Sequence, residues 1–266
     1  MVTNIRFDMR APAWGPASAT DLYTASVEMA RWADGLGLHA VVLSEHHRSD
    51  DGFLPSPIVA AAAVAAVTDQ IGISLSALLL PLYDPVKVAE DLAVLDHISK
   101  GRVTTIVGLG YRREEYEMFG ADWEGRGALF DECIGVLLDA WSGKEFTYGD
   151  RTVQVTPAPY RDPHPMLFVG GRSKLAARRA ARFDLPFFPD SADPALRETY
   201  EAACRDAGRE PGLMVSPPAK VSYTYVHEDP EAYWDVIGPH LLHEARTYRG
   251  WQPEGSSSSA STDDDT

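Results

Sequence analysis

The chain has 266 residues, of which 45% are hydrophobic and 24% charged, enough apolar material for a substantial core and too much for disorder along most of the length. Lys and Arg number 24 against 39 Asp and Glu, a formal charge of −15 at pH 7, which excludes an electrostatic nucleic-acid surface. Cys133 and Cys204 provide no disulfide framework and suit a reducing cytoplasm, the start MVTNIRFDMR lacks the apolar core of an export signal, and the most apolar window, 58–67, is too short to cross a bilayer.

Short β-branched or leucine-rich runs begin at residues 5, 40, 73 and 103: IRFDMR (5–10), AVVLSEH (40–46), ISLSALLL (73–80) and VTTIVGLG (103–110). A parallel strand returning through a helix needs about that interval, so the first hundred residues read as consecutive βα units. A helix is predicted over about 21–34, capped by Thr20 and ended by the turn at Gly35 and Gly37. Another follows the capping residue Asp84, with Pro85 at its first position and Gly101 beyond its end. Val86, Ala89, Leu92, Ala93 and Ile98 form its apolar face.

The rhythm then breaks, because the next good strand is MLFVGG at 166–171. An insertion over about 111–165 is predicted to hold a short charged helix (112–119), a longer helix (129–141) and a hairpin (145–155) turning at Gly149 and Asp150. Long insertions at one end of a barrel usually build or cover its active site. A sixth strand is expected at 185–189, a helix over about 194–207 and a seventh strand at 219–228. No eighth is visible, since the chain ends in RGWQPEGSSSSASTDDDT. The expectation is one α/β barrel domain over 1–254 lacking its last βα unit, followed by a disordered acidic, serine-rich tail at 255–266.

Catalytic side chains of parallel α/β folds gather at the carboxyl ends of the strands. Ser44, Glu45, His46 and His47 end the second strand, and period two puts His46 on the face of Val42 and Ser44, at the barrel mouth. A hydrogen-bonded rim histidine and a catalytic one are equally compatible with that position. Ser76 and Ala77 place small side chains at the third strand, where a flat ligand fits or a barrel merely tapers. Gly108 and Gly110 leave room near the same mouth for a ligand or for another strand. Gly170, Gly171, Arg172 and Ser173 form a strand, turn and helix start where amides, a hydroxyl and a guanidinium converge, as a phosphate monoester requires; Ser173 also serves as an ordinary cap. His240 and His243 share a helical face without a third ligand nearby, so no metal site is assigned.

SEHH at 44–47, SALLLPLYDPVKVAEDLAVLDHISKGR at 76–102, GLGYRREEYEMFG at 108–120 and VGG followed by Ser173 together resemble the bacterial luciferase-like monooxygenase family. The resemblance implies a (β/α)₈ barrel of the TIM type that binds a flavin, or in one branch coenzyme F-420, at the carboxyl ends of its strands. It makes His46 the active-site histidine and Ser76–Ala77 the place of a non-proline cis peptide beside the ring. Gly108 is assigned to the same cofactor site, Gly170 to Ser173 match the phosphate region, and His47 and Tyr111 are assigned to the substrate. Leu109 departs from the luciferases proper, which carry an arginine there, and leaves Arg172 to supply the charge.

The activity so implied is that of an oxidoreductase acting on paired donors with oxygen. It would use reduced flavin mononucleotide (FMN) from a separate flavin reductase on a small organic substrate, with His46 as proton donor or hydrogen-bond partner. Hydride transfer with coenzyme F-420 is the alternative cofactor reading, and a non-catalytic flavin-binding partner subunit is the alternative class. A homodimer, common in the family, would cover part of an open sheet edge. A metal-dependent hydrolase ranks low, because adjacent strand residues such as His46 and His47 point to opposite faces.

Overall fold

A computed structural model describes residues 2–216 and 224–251. Its first four strands form where the β-branched runs predict them: β1 (Asn4–Phe7), β2 (Ala40–Leu43), β3 (Gly72–Leu78) and β4 (Val103–Val107). Two more, β7 (Met166–Gly171) and β8 (Phe187–Pro189), complete a six-stranded sheet in the order β1-β2-β3-β4-β7-β8, every pair parallel. Phe7, Leu43, Leu75, Thr105 and Leu167 align as successive partners across it, and the β3–β4 register shifts only between Ser76 and Leu78. Leu43, Leu75 and Leu167 are buried, as are Val41, Ile73 and Val103 of the same face. The opposite face, with Arg6, Val42, Ser74, Thr104 and Met166 in one aligned row, is half-buried. A one-residue slip would exchange these faces, which is why burial on one side specifies the register.

The helices α1 (Ala19–Gly35), α2 (Pro57–Val67) and α3 (Pro85–Ser99) return the chain between the first strands. The cap of α1 is Ser18, not the predicted Thr20: Ser18 Oγ accepts from Asp21 N at 3.2 Å and Asp21 Oδ2 accepts from Ser18 N at 2.9 Å. This reciprocal box satisfies two donors at once and outcompetes a lone threonine. The Asp84 cap of α3 is as expected, with Val86 N and Lys87 N donating to it. Its buried stripe is Val88, Ala89, Leu92, Ala93, Leu95, Asp96 and Ser99, whereas Ile98 of the expected face is exposed and Val86 half-buried.

The insertion carries α4 (Arg113–Phe119), α5 (Arg126–Trp141) and the antiparallel pair β5 (Phe146–Tyr148) and β6 (Arg151–Val153), close to the predicted bounds. After β7 come α6 (Lys174–Arg182), and after β8, α7 (Pro194–Asp206). The next parallel segment among the described residues lies before the predicted strand at 219–228. Phe187 N donates to Leu213 O at 3.0 Å and Val215 N to Phe187 O at 3.2 Å, with Met214 bridging Phe187. Three residues after Pro211 and Gly212 are too few to show a period, so this segment has no signal in the sequence. Of the predicted strand, 219–223 lie outside the described residues and 224–227 are not strand. The tail at 255–266 also lies outside them. A last helix, α8 (Pro230–Trp251), contains Pro239. The chain divides into two compact units, Met1–Gly110 with Glu114–Ala219, and Tyr111–Arg113 with Lys220–Thr266.

Candidate active site

Strand β2 stops at Leu43, and the next four residues stay buried without belonging to the sheet: Ser44, Glu45, His46 and His47 are at most 9% exposed. The following loop folds back onto the end of β1. His46 N donates to Leu54 O, Leu54 N to Asp8 O and Ala11 N to Asp51 O. Arg10 Nη1 is paired with Asp51 Oδ2 at 2.9 Å, and its guanidinium lies 4.8 Å from the centre of the Phe53 ring. Phe53 in turn meets the His46 ring edge-on at 4.9 Å. The imidazole is thereby packed on one side by a ring that a buried ion pair holds in place.

On the other side stands Glu115 of α4, its side chain 1% exposed. His46 Nδ1 lies 2.9 Å from Glu115 Oε1, and the same oxygen accepts from His47 N at 3.0 Å. His47 is held differently: its Nε2 lies 2.7 Å from Oε1 of Glu45, and its ring meets Phe119 edge-on at 4.6 Å. Glu45 also accepts from Leu79 N at 2.7 Å and from the Tyr83 hydroxyl at 2.5 Å. Burial foremost, and the Glu45 carboxylate next, push the Tyr83 hydroxyl far above the ordinary phenol range. Two buried carboxylates thus tie the end of β2 to α4 and to the segment after β3, each with several donors, the condition under which a charge can be buried.

The Ser76–Ala77 peptide is cis, as the resemblance implied. A side-chain carbon at Gly108 would stand 3.0 Å from the Ala77 side chain, so the neighbouring strand explains that glycine. At Gly170 an added carbon would stand 2.9 Å from Ile106 and 3.2 Å from Val107 O, and at Gly171, whose φ is +147°, 2.8 Å from Ala176. Both glycines are therefore demanded by β4 and α6. Ser173 caps α6, its Oγ accepting from Ala176 N at 3.1 Å. Arg172 Nε pairs with Asp190 Oδ2 at 2.8 Å, both side chains being largely open to solvent.

The sheet order puts the ends of β2, β3, β4 and β7 side by side, which brings His46, Ser76–Ala77, Gly108 and Gly170 to Ser173 into one row. Tyr111 belongs to the other compact unit, where Arg112 lies 4.1 Å over the Trp251 ring. Glu45, Tyr83 and Glu115 escaped the sequence reading. Period two carries Glu45 away from His46, and Glu115 sits in a run of charges, RREEYE, that looks solvated.

A model of the family described as luciferase-like monooxygenase matches residues 7–264. The chain belongs to the luciferase-like monooxygenase family. Among curated relatives, the alkanal monooxygenase alpha chain of Photorhabdus luminescens is 29% identical over 175 residues, 64% of this chain and 48% of that one. The oxygenase component of the flavin-dependent trigonelline monooxygenase of Acinetobacter baylyi is 29% identical over 158 residues, 57% and 44% of the two chains. This luciferase-like chain spans about half the length of the curated relatives it matches.

Of solved structures, monooxygenase RslO1 from Streptomyces bottropensis superimposes with a TM-score of 0.79 at 26% identity, covering 94% of this chain and 79% of the other. The oxygenating constituent of 3,6-diketocamphane monooxygenase from Pseudomonas putida, in complex with FMN, gives 0.75 at 21% identity over 94% and 76%. An F420-dependent secondary alcohol dehydrogenase gives 0.65 at 20% over 81% and 68%. These last two likenesses establish the fold, an α/β luciferase-like barrel of the TIM type.

Proposed function

We propose that this luciferase-like chain is the oxygenase of a two-component system, taking reduced FMN from a flavin reductase and oxidising a small organic substrate with oxygen. The observation that carries the reading is the row at the strand ends, with the buried His46 imidazole held by Glu115 and the Arg172–Ser173 helix start in the same sheet. The donor set fits a phosphate monoester: the first-turn amides of α6, the Ser173 hydroxyl and the Arg172 guanidinium. A phosphate there competes with Asp190 for Arg172. Ser76, Ala77 and Gly108, small and close together, suit the flat ring, while His47 is assigned to the substrate. When bound, the reduced flavin supplies the electrons that activate oxygen. The chain supplies a dry pocket wall and, at His46, a group that holds or moves a proton.

Both cysteines are free and buried, in keeping with a reducing, cytoplasmic setting. No helix among the described residues is long and apolar enough to cross a membrane. The exposed Met29, Trp32 and Leu36 on or beside α1 support a homodimer, which light scattering tests.

A second cofactor reading, hydride transfer with coenzyme F-420, is left open by the GLGYRREEYEMFG stretch and by Leu109, which on the family resemblance stands where the luciferases proper carry an arginine. Titration of the purified protein with FMN and with coenzyme F-420 separates the two. Saturable binding of FMN, weakened about tenfold in Arg172→Ala, is the expected result. Preference for coenzyme F-420 selects the second reading, and binding of neither by a folded sample sinks both in favour of a non-catalytic partner subunit. Replacing His46 with alanine should abolish turnover and spare cofactor binding; undiminished turnover removes it from the reaction.

A further inference from the structure

We infer that Glu115 is the positioning residue of His46: it sets which ring nitrogen carries the proton, and therefore which nitrogen is presented to the reactants. The inference rests on His46 acting in the proposed reaction. Glu115 Oε1 accepts from the main-chain amide of His47 at 3.0 Å, a group that can only donate. The same oxygen lies 2.9 Å from His46 Nδ1. An ionised carboxylate is acceptor-only, and an oxygen with two lone pairs accepts from both. His46 Nδ1 is then the protonated nitrogen, and in the neutral ring Nε2 carries the lone pair. Neutral histidine in water favours the other form, so the carboxylate acts against the intrinsic preference.

The surroundings hold the attachment of the ring and pack one side of it. Its main-chain amide is tied to Leu54 O, its face is closed by the Phe53 edge, and Phe53 lies under Arg10, which is paired with Asp51. His47 is engaged through its Nε2 by another carboxylate, Glu45. Adjacent histidines are thus engaged through different ring nitrogens by different carboxylates.

The test reads ring nitrogens in the ligand-free full chain, labelled with ¹⁵N-histidine at neutral pH, with His46 assigned by its loss in His46→Asn. The native protein is expected to show His46 protonated at Nδ1. Glu115→Ala, shown folded by circular dichroism, is expected to lose that signal and gain the Nε2-protonated one. Glu115→Gln, which keeps an acceptor oxygen, is expected to retain the Nδ1 proton. A native His46 protonated only at Nε2 overturns the inference, as does an unchanged ring in folded Glu115→Ala; if that variant does not fold, the native spectrum decides. Failure of any flavin to bind would sink the functional reading while leaving this result standing.

Discussion

The Glu45 carboxylate accepts from Leu79 N and the Tyr83 hydroxyl and lies 2.7 Å from His47 Nε2, and none of these three partners among the described residues is a lysine or arginine. Removing one should be costly, because the acceptor remains buried. Tyr83→Phe is expected to lower stability by about 1–3 kcal/mol in urea titration. The pH dependence has a definite sign. A phenol whose pKa is raised on folding contributes stability that is complete below the unfolded value, about 10, and that is lost as pH rises above it. Native stability should therefore fall above about pH 10, by at most ~1.4 kcal/mol per pH unit for each such tyrosine, and Tyr83→Phe should flatten the slope; an unchanged slope would show that Tyr83 does not contribute. At this scale the sequence displays the histidines, because SEHH ends a recognisable strand. It hides their carboxylates, because Glu115 approaches from an element 68 residues away and burial of an acid leaves no mark on composition.

Among the elements, the parts most legible in the sequence lie far from the chemistry. The LDHISKGR stretch, central to the family resemblance, works at the amino end of β4. There Lys100 and Gly101 adopt positive φ and Asp96 accepts from Arg161 N at 2.7 Å. The Arg102 guanidinium donates to Ser99 O, Ala65 O, Ile71 O, Thr68 O and Thr68 Oγ1, stapling α2 and α3 to the turn before β3. Arg102→Ala should destabilise by about 2–4 kcal/mol, and Arg102→Lys should recover little, since an ammonium cannot reach so many carbonyls. Ser18→Ala is expected to cost about 1 kcal/mol against little for Thr20→Ala, by the same titration. Other elements were illegible for physical reasons. Helix α2, PIVAAAAVAAV, is apolar on every side and shows no period, and the 213–215 segment is too short to show one.

At the scale of the molecule, β3 and β4 lie in the middle of the sheet, with further strands beyond each of their neighbours, while β1 pairs with β2 alone among the described residues. Hydrogen exchange should accordingly be slowest in β3 and β4 and faster in β1; equal protection would mean that something covers the β1 edge. The order of βα units was readable from spacing alone, since each crossover needs a minimum of chain, whereas the division into two compact units was not, because residues 111–113 join a segment more than a hundred positions away. The tight turn after β7 bears on protein engineering. Gly170 and Gly171 are wedged against Ile106, Val107 and Ala176, so a library randomised at either position would be selected for folding before any change in cofactor preference was seen. The adjustable positions are 172 and 190, whose side chains are largely open to solvent, whereas Ser173 caps α6. Neutralising Asp190 is the substitution to include first in such a library.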